Sequence, residues 1–205
     1  MIDAAVAPFD QKIRIGLLRL GAVVLVPLLV LARPCLPEQG LAAEAMRLAG
    51  IALILACVLG RLWAILYIGR AKNRRVVTDG PYSITRNPLY FFSTLGAFGF
   101  GLMFAKLSLA LLLGGLVFTI LYLTARREQA FLEAAFGADY AAYAARVPMF
   151  LPKPWLFSTE SAVTFSPKAI ERNLFDALVF LSAIPLAEAA RMLHARVDLL
   201  GICLP

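Results

Sequence analysis

Residues 80–90 place hydrogen-bonding side chains at the edge of a long apolar stretch, in the segment GPYSITRNPLY. Gly80-Pro81 predicts a turn, and Asn87 is positioned to cap a helix whose first residue is Pro88. The N-terminus of that helix would present unpaired N–H groups and the positive end of the helix dipole, so it could bind a carboxylate such as that of an amino acid derivative. The pattern is typical either of a capped transmembrane helix or of one wall of a ligand site.

A second polar stretch, ARREQAFLEAAFGADYAAYAARVPMFLP, covers residues 125–152. Four of its residues recur at helical spacing, namely Glu128, Leu132, Ala135 and Phe136. Gly137 is predicted to end that helix, and a second short helix carries Tyr140 and Tyr143 on one face until Val147-Pro148 breaks it. These features predict either amphipathic helices with tyrosines anchored at the membrane interface or a second wall of the same site.

The elements that position both stretches are membrane helices. Of the 205 residues, 61% are hydrophobic and only 16% are charged, which indicates a polytopic membrane protein with a single domain, 1–205. We predict an all-α fold with about five transmembrane helices, at 15–32, 48–69, 89–105, 107–125 and 174–193. Only Lys106 separates the third and fourth segments, so they should form a tight hairpin.

Charge distribution predicts the orientation. With a cytoplasmic N-terminus, thirteen lysines and arginines lie on the cytoplasmic side and five on the other, as the positive-inside rule requires. Both polar stretches are then cytoplasmic. The net charge of +7 is explained by orientation and contact with the lipid bilayer, so no nucleic acid partner is expected. The N-terminal residues do not resemble a cleavable signal peptide.

Other residues that could bind a ligand give weaker signals. Cys35, Cys57 and Cys203 are scattered without CxxC spacing, and the single histidine, His194, lies near the C-terminus, so no metal site is expected. Arg61 falls inside the second apolar segment. It should face protein or a wet cavity, because a charge in lipid is costly, and it either extends to the interface or binds an anionic group.

Together, GPYSITRNPLY and REQAFLEAAFGADYAAYAARVPMFLP resemble the isoprenylcysteine carboxyl methyltransferase and phospholipid methyltransferase family. That family has a GPY turn, an Arg-His-Pro or Arg-Asn-Pro step with a tyrosine, and a helical hairpin. Glu-Glu-x-x-Leu, Phe-Gly-x-x-Tyr-x-x-Tyr and Val-Pro…Pro elements follow. The resemblance covers about residues 60–152 and leaves 158–205 as an additional C-terminal helical segment.

The resemblance implies an integral membrane methyltransferase that binds S-adenosylmethionine in a cytoplasmic pocket between the two stretches. A lipophilic acceptor, carrying a carboxylate, amine or thiol, would enter from the bilayer. Arg86 and Glu128 would be catalytic. The cofactor would be bound by Tyr82, Asn87, Pro88, Tyr90, Glu128, Leu132, Phe136, Gly137, Tyr140 and Tyr143.

Two residues depart from the family pattern. Asn87 stands where the eukaryotic prenylcysteine enzymes have histidine, and Gln129 replaces the second acid of the Glu-Glu pair. The first departure weakens any transfer of the prenylcysteine substrate to this chain. Because Arg-Asn-Pro also occurs in bacterial relatives, we expect the bacterial inner membrane. Two alternatives remain, a nicotinamide-dependent membrane reductase related to sterol reductases and a non-enzymatic protein that retains the fold.

Overall fold

A computed structural model describes residues 32–34, 40–68, 76–196 and 202–204. Five α-helices dominate these residues: α1 Leu41–Ile68, α2 Pro81–Ile84, α3 Pro88–Leu102, α4 Leu107–Arg146 and α5 Pro167–Arg196. A 3₁₀ turn covers Pro154–Leu156, and two three-residue strands, β1 Ala32–Pro34 and β2 Ile202–Leu204, pair in parallel. The predicted all-α class is confirmed, with this short strand pair as the addition.

Three of the helices are long and apolar enough to cross a membrane: α1, α4 and residues Pro167–Met192 of α5. Helix α3 is apolar but shorter, and its 15 residues span about 22 Å at 1.5 Å per residue. The chain is therefore an integral membrane protein. Residues 15–31, where the first transmembrane helix was predicted, lie outside the described residues, so the predicted count of five spans stays a prediction.

The hairpin predicted at Lys106 is confirmed. Helix α3 ends in a turn over Met103–Ala105. Lys106 is the N-cap residue of α4, and its carbonyl oxygen accepts a hydrogen bond from the Ala110 amide at 3.1 Å. A Cβ on Gly101 would lie 2.3 Å from the Ala110 Cα, so the two helices can meet this closely only because residue 101 has no side chain.

Helices α1 and α3 form the tightest helix pair. A Cβ on Gly50 would approach the Gly99 carbonyl oxygen to 2.6 Å, and a Cβ on Gly99 would approach the Gly50 oxygen to 2.7 Å. Helix α5 packs against α1 and also contacts α3, and Ile54, Met103 and Ala187 form a buried cluster where α1, α5 and the hairpin turn meet. Leucines on the outer faces stay exposed, as expected for surfaces that contact lipid.

Helix α4 continues well beyond its apolar half and breaks where the sequence predicted. Gly137 has φ 53° and ψ −124°, a conformation that residues other than glycine rarely adopt. A second helical segment then carries Tyr140 and Tyr143 and ends at Val147. Helix α5 begins at Pro167, seven residues before the predicted fifth segment, and the Ser166 carbonyl accepts its first amides.

Candidate functional site

The short helix α2 is held in place by the segment that follows α4. Gly80 donates its amide to the Ser158 carbonyl at 2.7 Å, and Ser158 donates its own amide to Ser83 Oγ at 2.9 Å. Lys153 N donates to the Ile84 carbonyl at 2.9 Å. The turn at Gly80 has φ 58° and lies against the Tyr67 ring, which confirms the predicted turn and explains why glycine occupies it.

The Arg-Asn-Pro step is fixed by the same segment. The Arg86 amide donates to the Pro148 carbonyl at 2.9 Å, and Thr85 Oγ1 donates to the Phe150 carbonyl at 2.9 Å. These bonds set the backbone that presents the Arg86 side chain. They explain why two stretches more than 60 residues apart in sequence form one unit.

Helix α3 starts as predicted, but Asn87 does not cap it through its side chain. Asn87 is the N-cap residue and the fully buried Pro88 is the first helical residue. The Asn87 carboxamide instead donates from Nδ2 to the Met149 carbonyl at 3.0 Å. The predicted side-chain cap is wrong, because the following segment passes close enough to take the amide as a cross-link.

The two predicted walls meet at Tyr90 and Glu128. The Tyr90 hydroxyl donates to Glu128 Oε2 at 2.9 Å, which joins α3 to α4 just where α4 becomes polar. One wall also contacts the other through Tyr143, whose hydroxyl donates to the Tyr82 carbonyl at 2.8 Å in a buried bond. The structure therefore brings residues from both stretches together.

Arg86 places a positive charge beside Tyr140 and Tyr143. Its Nε and Nη1 atoms are buried and have no hydrogen-bond partner within the part of the chain that the structure describes. The guanidinium interacts with the Tyr140 hydroxyl, where it opposes the effect of burial on the tyrosine pKa. A buried donor without an acceptor is costly, so the two free N–H groups mark a position where an anionic or carbonyl group would be stabilised.

The tyrosines stay neutral at physiological pH. Burial raises the pKa of Tyr82 well above 10.0, and the nearby Tyr143 and Glu128 raise it further. Tyr140 and Tyr143 follow the break at Gly137, beyond the apolar half of α4, and burial raises the pKa of both. Neutral phenols provide hydroxyl donors and electron-rich ring faces, which attract cations.

The remaining predicted residues have packing roles. Leu132 and Phe136 pack against the buried cluster of Tyr140, Tyr143 and Val147. Gly137 has open space where a side chain would be. The contacts of Leu132 and Phe136 place these two residues in the second wall. The part of all three residues in cofactor binding stays a prediction.

Gln129, which replaces the second acid of the family pattern, is turned toward the next turn of its own helix. Its Nε2 donates to Glu133 Oε1 at 2.7 Å. Glu133 is exposed, and the Gln129 carboxamide oxygen is buried without a donor among the residues described. Of positions 128 and 129, which form the Glu-Glu pair of the family pattern, only Glu128 provides a carboxylate, and it contacts the other wall.

Sequence reasoning missed the partners of Arg61. Its guanidinium donates to Ser93 Oγ at 2.6 Å, Asn173 Oδ1 at 3.1 Å and Asp176 Oδ2 at 3.1 Å. An arginine inside an apolar segment predicts a protein partner. The identity of the partners depends on where α5 packs, which the sequence does not reveal. Among the described residues, no group of three or more histidine, cysteine, aspartate or glutamate side chains could hold a metal ion.

Comparison with known proteins gives the family of the chain. The chain belongs to the phospholipid methyltransferase family, whose model matches residues 45–139. That range includes α1 from Ala45 onward, α3, the Tyr90–Glu128 contact and α4 as far as Asp139.

Two relatives carry names from metal resistance. The chain is 39% identical over 136 residues to the cobalt-zinc-cadmium resistance protein CzcN of Cupriavidus metallidurans, which covers 66% of this chain and 62% of CzcN. It is 32% identical over 199 residues to the nickel-cobalt-cadmium resistance protein NccN of Alcaligenes xylosoxydans xylosoxydans, which covers 93% of this chain and 92% of NccN. No solved structure matches the chain.

Proposed function

We propose that this protein transfers a methyl group from S-adenosylmethionine to a lipophilic acceptor at the cytoplasmic face of a bacterial inner membrane. The observation that supports this most directly is the Tyr90–Glu128 hydrogen bond, which joins the two family stretches near the unpaired N–H groups of Arg86. Membership of the phospholipid methyltransferase family supports the reaction class.

The charged groups of the site fit the amino acid part of S-adenosylmethionine. Its ammonium group needs a carboxylate, and Glu128 has a second oxygen that Tyr90 does not occupy. Its carboxylate needs donors, and Arg86 has two buried N–H groups for which the described residues provide no acceptor. Tyr82, Tyr140 and Tyr143 supply neutral rings, and cation–π attraction to a sulfonium would contribute about 0.5–2 kcal/mol.

S-adenosylmethionine would supply an electrophilic methyl group that an acceptor displaces in line. The protein's contribution is to hold the acceptor and donor in that alignment, which can account for roughly 7–11 kcal/mol of the barrier. Arg86 and Glu128 would fix the amino acid part of the donor, Arg86 through its carboxylate and Glu128 through its ammonium group. The bonds from residues 148–158 to α2 keep the Arg86 backbone from moving.

The acceptor determines whether a base is required. A carboxylate acceptor is already ionised and needs only positioning, whereas an amine or thiol must first lose a proton. Glu128 and Glu133 are the carboxylates of this region, and each accepts a hydrogen bond, from Tyr90 and Gln129 respectively. A lipophilic acceptor is expected because the site adjoins the cytoplasmic ends of α1, α3 and α4, whose outer faces contact lipid.

Calorimetric titration of the purified protein in detergent tests the cofactor. Saturable binding of S-adenosylmethionine and of its demethylated product, weakened by Glu128→Gln but not by Glu133→Gln, supports the proposal. A folded protein that binds neither compound contradicts it. Binding of a reduced nicotinamide cofactor in place of both would favour the reductase alternative.

The names of CzcN and NccN favour a second, physiological proposal, that methyl transfer by this chain contributes to tolerance of divalent metals such as cobalt and cadmium. Expression in a metal-sensitive bacterium should raise the cadmium or cobalt concentration that stops growth, and Glu128→Gln should remove that effect. Protection that persists in the Glu128→Gln strain would separate metal tolerance from methyl transfer.

A further inference from the structure

A polar cluster lies beside the candidate site, where α1, α3 and α5 meet. Arg61 of α1 bonds Ser93 of α3 and both Asn173 and Asp176 of α5, and these four residues are the Arg61 cluster. The guanidinium carbon lies 5.5 Å from the centre of the Phe180 ring. The cluster links α1, α3 and α5 through polar side chains.

Two donors of the Arg61 cluster are buried without an acceptor. Arg61 Nε and Asn173 Nδ2 have no hydrogen-bond partner in the described ranges, and Asn173 is only 5% exposed. The Asn173 carboxamide cannot be turned over to use its oxygen elsewhere, because that would place its NH₂ group against the Arg61 donor that now bonds Oδ1. Most buried donors in proteins are hydrogen-bonded, so these two indicate an acceptor that the described residues do not supply.

The charge of the cluster restricts what that acceptor is. Asp176 already provides a carboxylate at 3.1 Å from Arg61, and its side chain is 63% exposed on the outer side of α5. The unused buried groups are donors, so an acceptor such as a carbonyl, carboxylate or phosphate oxygen fits them. Because α5 is one of the helices long and apolar enough to cross a membrane, such a group would arrive on a lipid-soluble molecule.

The cluster is close to the proposed methyl-transfer site. Ser93 lies three residues after Tyr90 on α3, which places it about 4.5 Å further along the helix axis. Arg61 and Glu128 both act on the ionisation of Tyr82, in opposite directions, because both charges lie near that phenol. A molecule bound at Ser93's end of the cluster would therefore lie within one turn of α3 from Tyr90, which bonds Glu128.

We propose that the Arg61 cluster is a binding subsite for an oxygen-bearing group of a lipid-soluble molecule, with Arg61 Nε and Asn173 Nδ2 as the donors. The next step rests on the proposed function: the bound molecule is the methyl acceptor. Its carbonyl or carboxyl oxygen is held by the Arg61 cluster while its reacting atom reaches the site beside Glu128. Asn173 and Asp176 lie beyond residues 45–139, so the part of the chain that matches the family model does not contain them.

Photolabelling tests the subsite without knowledge of the natural acceptor. The full-length protein in detergent would be labelled with a diazirine-bearing palmitic acid, or with a diazirine-bearing hydrocarbon of equal length, and labelled peptides mapped by mass spectrometry. We expect saturable labelling by the fatty acid on α1 and α5 near the cluster, in competition with unlabelled palmitate. Asn173→Asp keeps the shape and the Arg61 contact but removes the donor, so labelling should fall about five- to tenfold, as for loss of one hydrogen bond.

Ser182→Ala is the matched control, because Ser182 is an exposed polar residue of the same helix whose hydroxyl donates to the Val179 carbonyl of that helix. Its labelling should equal that of wild type. Equal labelling by the hydrocarbon, or undiminished labelling of Asn173→Asp, would overturn the subsite and assign the two donors to water.

Two further arms separate the sources of the oxygen and the two proposals. Competition by palmitate but not by excess phosphatidylcholine supports a methyl acceptor, whereas equal competition by the phospholipid assigns the subsite to bilayer lipid and overturns the acceptor role. S-adenosylmethionine binding is measured on the same samples. Retained cofactor affinity in Asn173→Asp supports a role confined to the acceptor. Fatty acid labelling in a wild type that binds no S-adenosylmethionine would leave the subsite standing and remove the methyltransferase proposal.

Discussion

Replacing Arg86 by methionine should stabilise the ligand-free protein, while the same change at Arg61 should destabilise it. Both arginines are partly buried, and each has a buried Nε without an acceptor among the described residues. They differ in their remaining contacts. Arg61 has three hydrogen-bond acceptors on other helices, whereas Arg86 also has an Nη1 without an acceptor among the described residues and interacts with Tyr140.

The magnitude follows from these contacts. Each buried donor without a partner costs about 1–3 kcal/mol, and one ordinary hydrogen bond contributes about 1 kcal/mol. Methionine at position 86 removes two unpaired donors and one interaction with Tyr140, so the lower limits leave a gain of about 1 kcal/mol. Methionine at position 61 removes one unpaired donor but leaves the buried Asn173 oxygen without a donor, and it also breaks the contacts to Ser93 and Asp176. A loss of about 1–3 kcal/mol is expected there.

Thermal unfolding in detergent, without S-adenosylmethionine, measures both effects. For a chain of this length, 1 kcal/mol corresponds to about 2–4 °C in Tm. Arg86→Met should raise Tm by about that amount and abolish S-adenosylmethionine binding, because function and stability compete at a site built with unpaired donors. A fall in Tm equal to that of Arg61→Met would show that the Arg86 donors already have partners, and the argument that they await a ligand would be refuted.

Three further outcomes are expected. Glu128→Gln keeps an oxygen that can accept the Tyr90 hydrogen bond but removes the charge. It should weaken S-adenosylmethionine binding about 10–150-fold, which corresponds to the loss of a charged hydrogen bond of about 1.5–3 kcal/mol. Glu133→Gln should leave the calorimetric affinity unchanged. Gly80→Ala should lower Tm more than Gly137→Ala, because both have positive φ but only a Cβ at position 80 meets the Tyr67 ring, at 2.3 Å; equal losses would contradict this contact. Tyr82 has a higher pKa in the folded state than in the unfolded state, so its stabilising effect is complete below pH 10 and is lost as the pH rises toward the folded-state pKa. Tm should therefore fall above pH 10, and Tyr82→Phe should reduce that fall.

Local structure was predictable because its causes are local. The turn at Gly80, the helix start at Pro88, the hairpin at Lys106 and the break at Gly137 each follow from the conformational preferences of one or two residues. The structure confirms all four. Such signals also placed both polar stretches correctly with respect to the apolar segments.

Side-chain partners were not predictable because they depend on which distant segments meet. Asn87 is of a residue type that commonly caps helices, yet its carboxamide donates to the carbonyl of the nearby Met149 instead of bonding the helix. The Arg61–Asp176 pair joins residues more than 100 positions apart, and only the packing of α5 against α1 brings them together. Tyr90 and Glu128 were assigned to opposite walls by family resemblance, and their direct hydrogen bond is a product of the hairpin's register.

Transfer of a labelled methyl group tests the central claim most directly. Membranes that contain the wild-type protein would be incubated with methyl-tritiated S-adenosylmethionine, and organic extracts would be counted beside membranes with equal amounts of folded Glu128→Gln protein. The account predicts tritium in the lipid extract that depends on wild-type protein and falls at least tenfold in the variant. Equal tritium in wild-type, variant and protein-free membranes, with an extract of the native host's own lipids supplied, would contradict it.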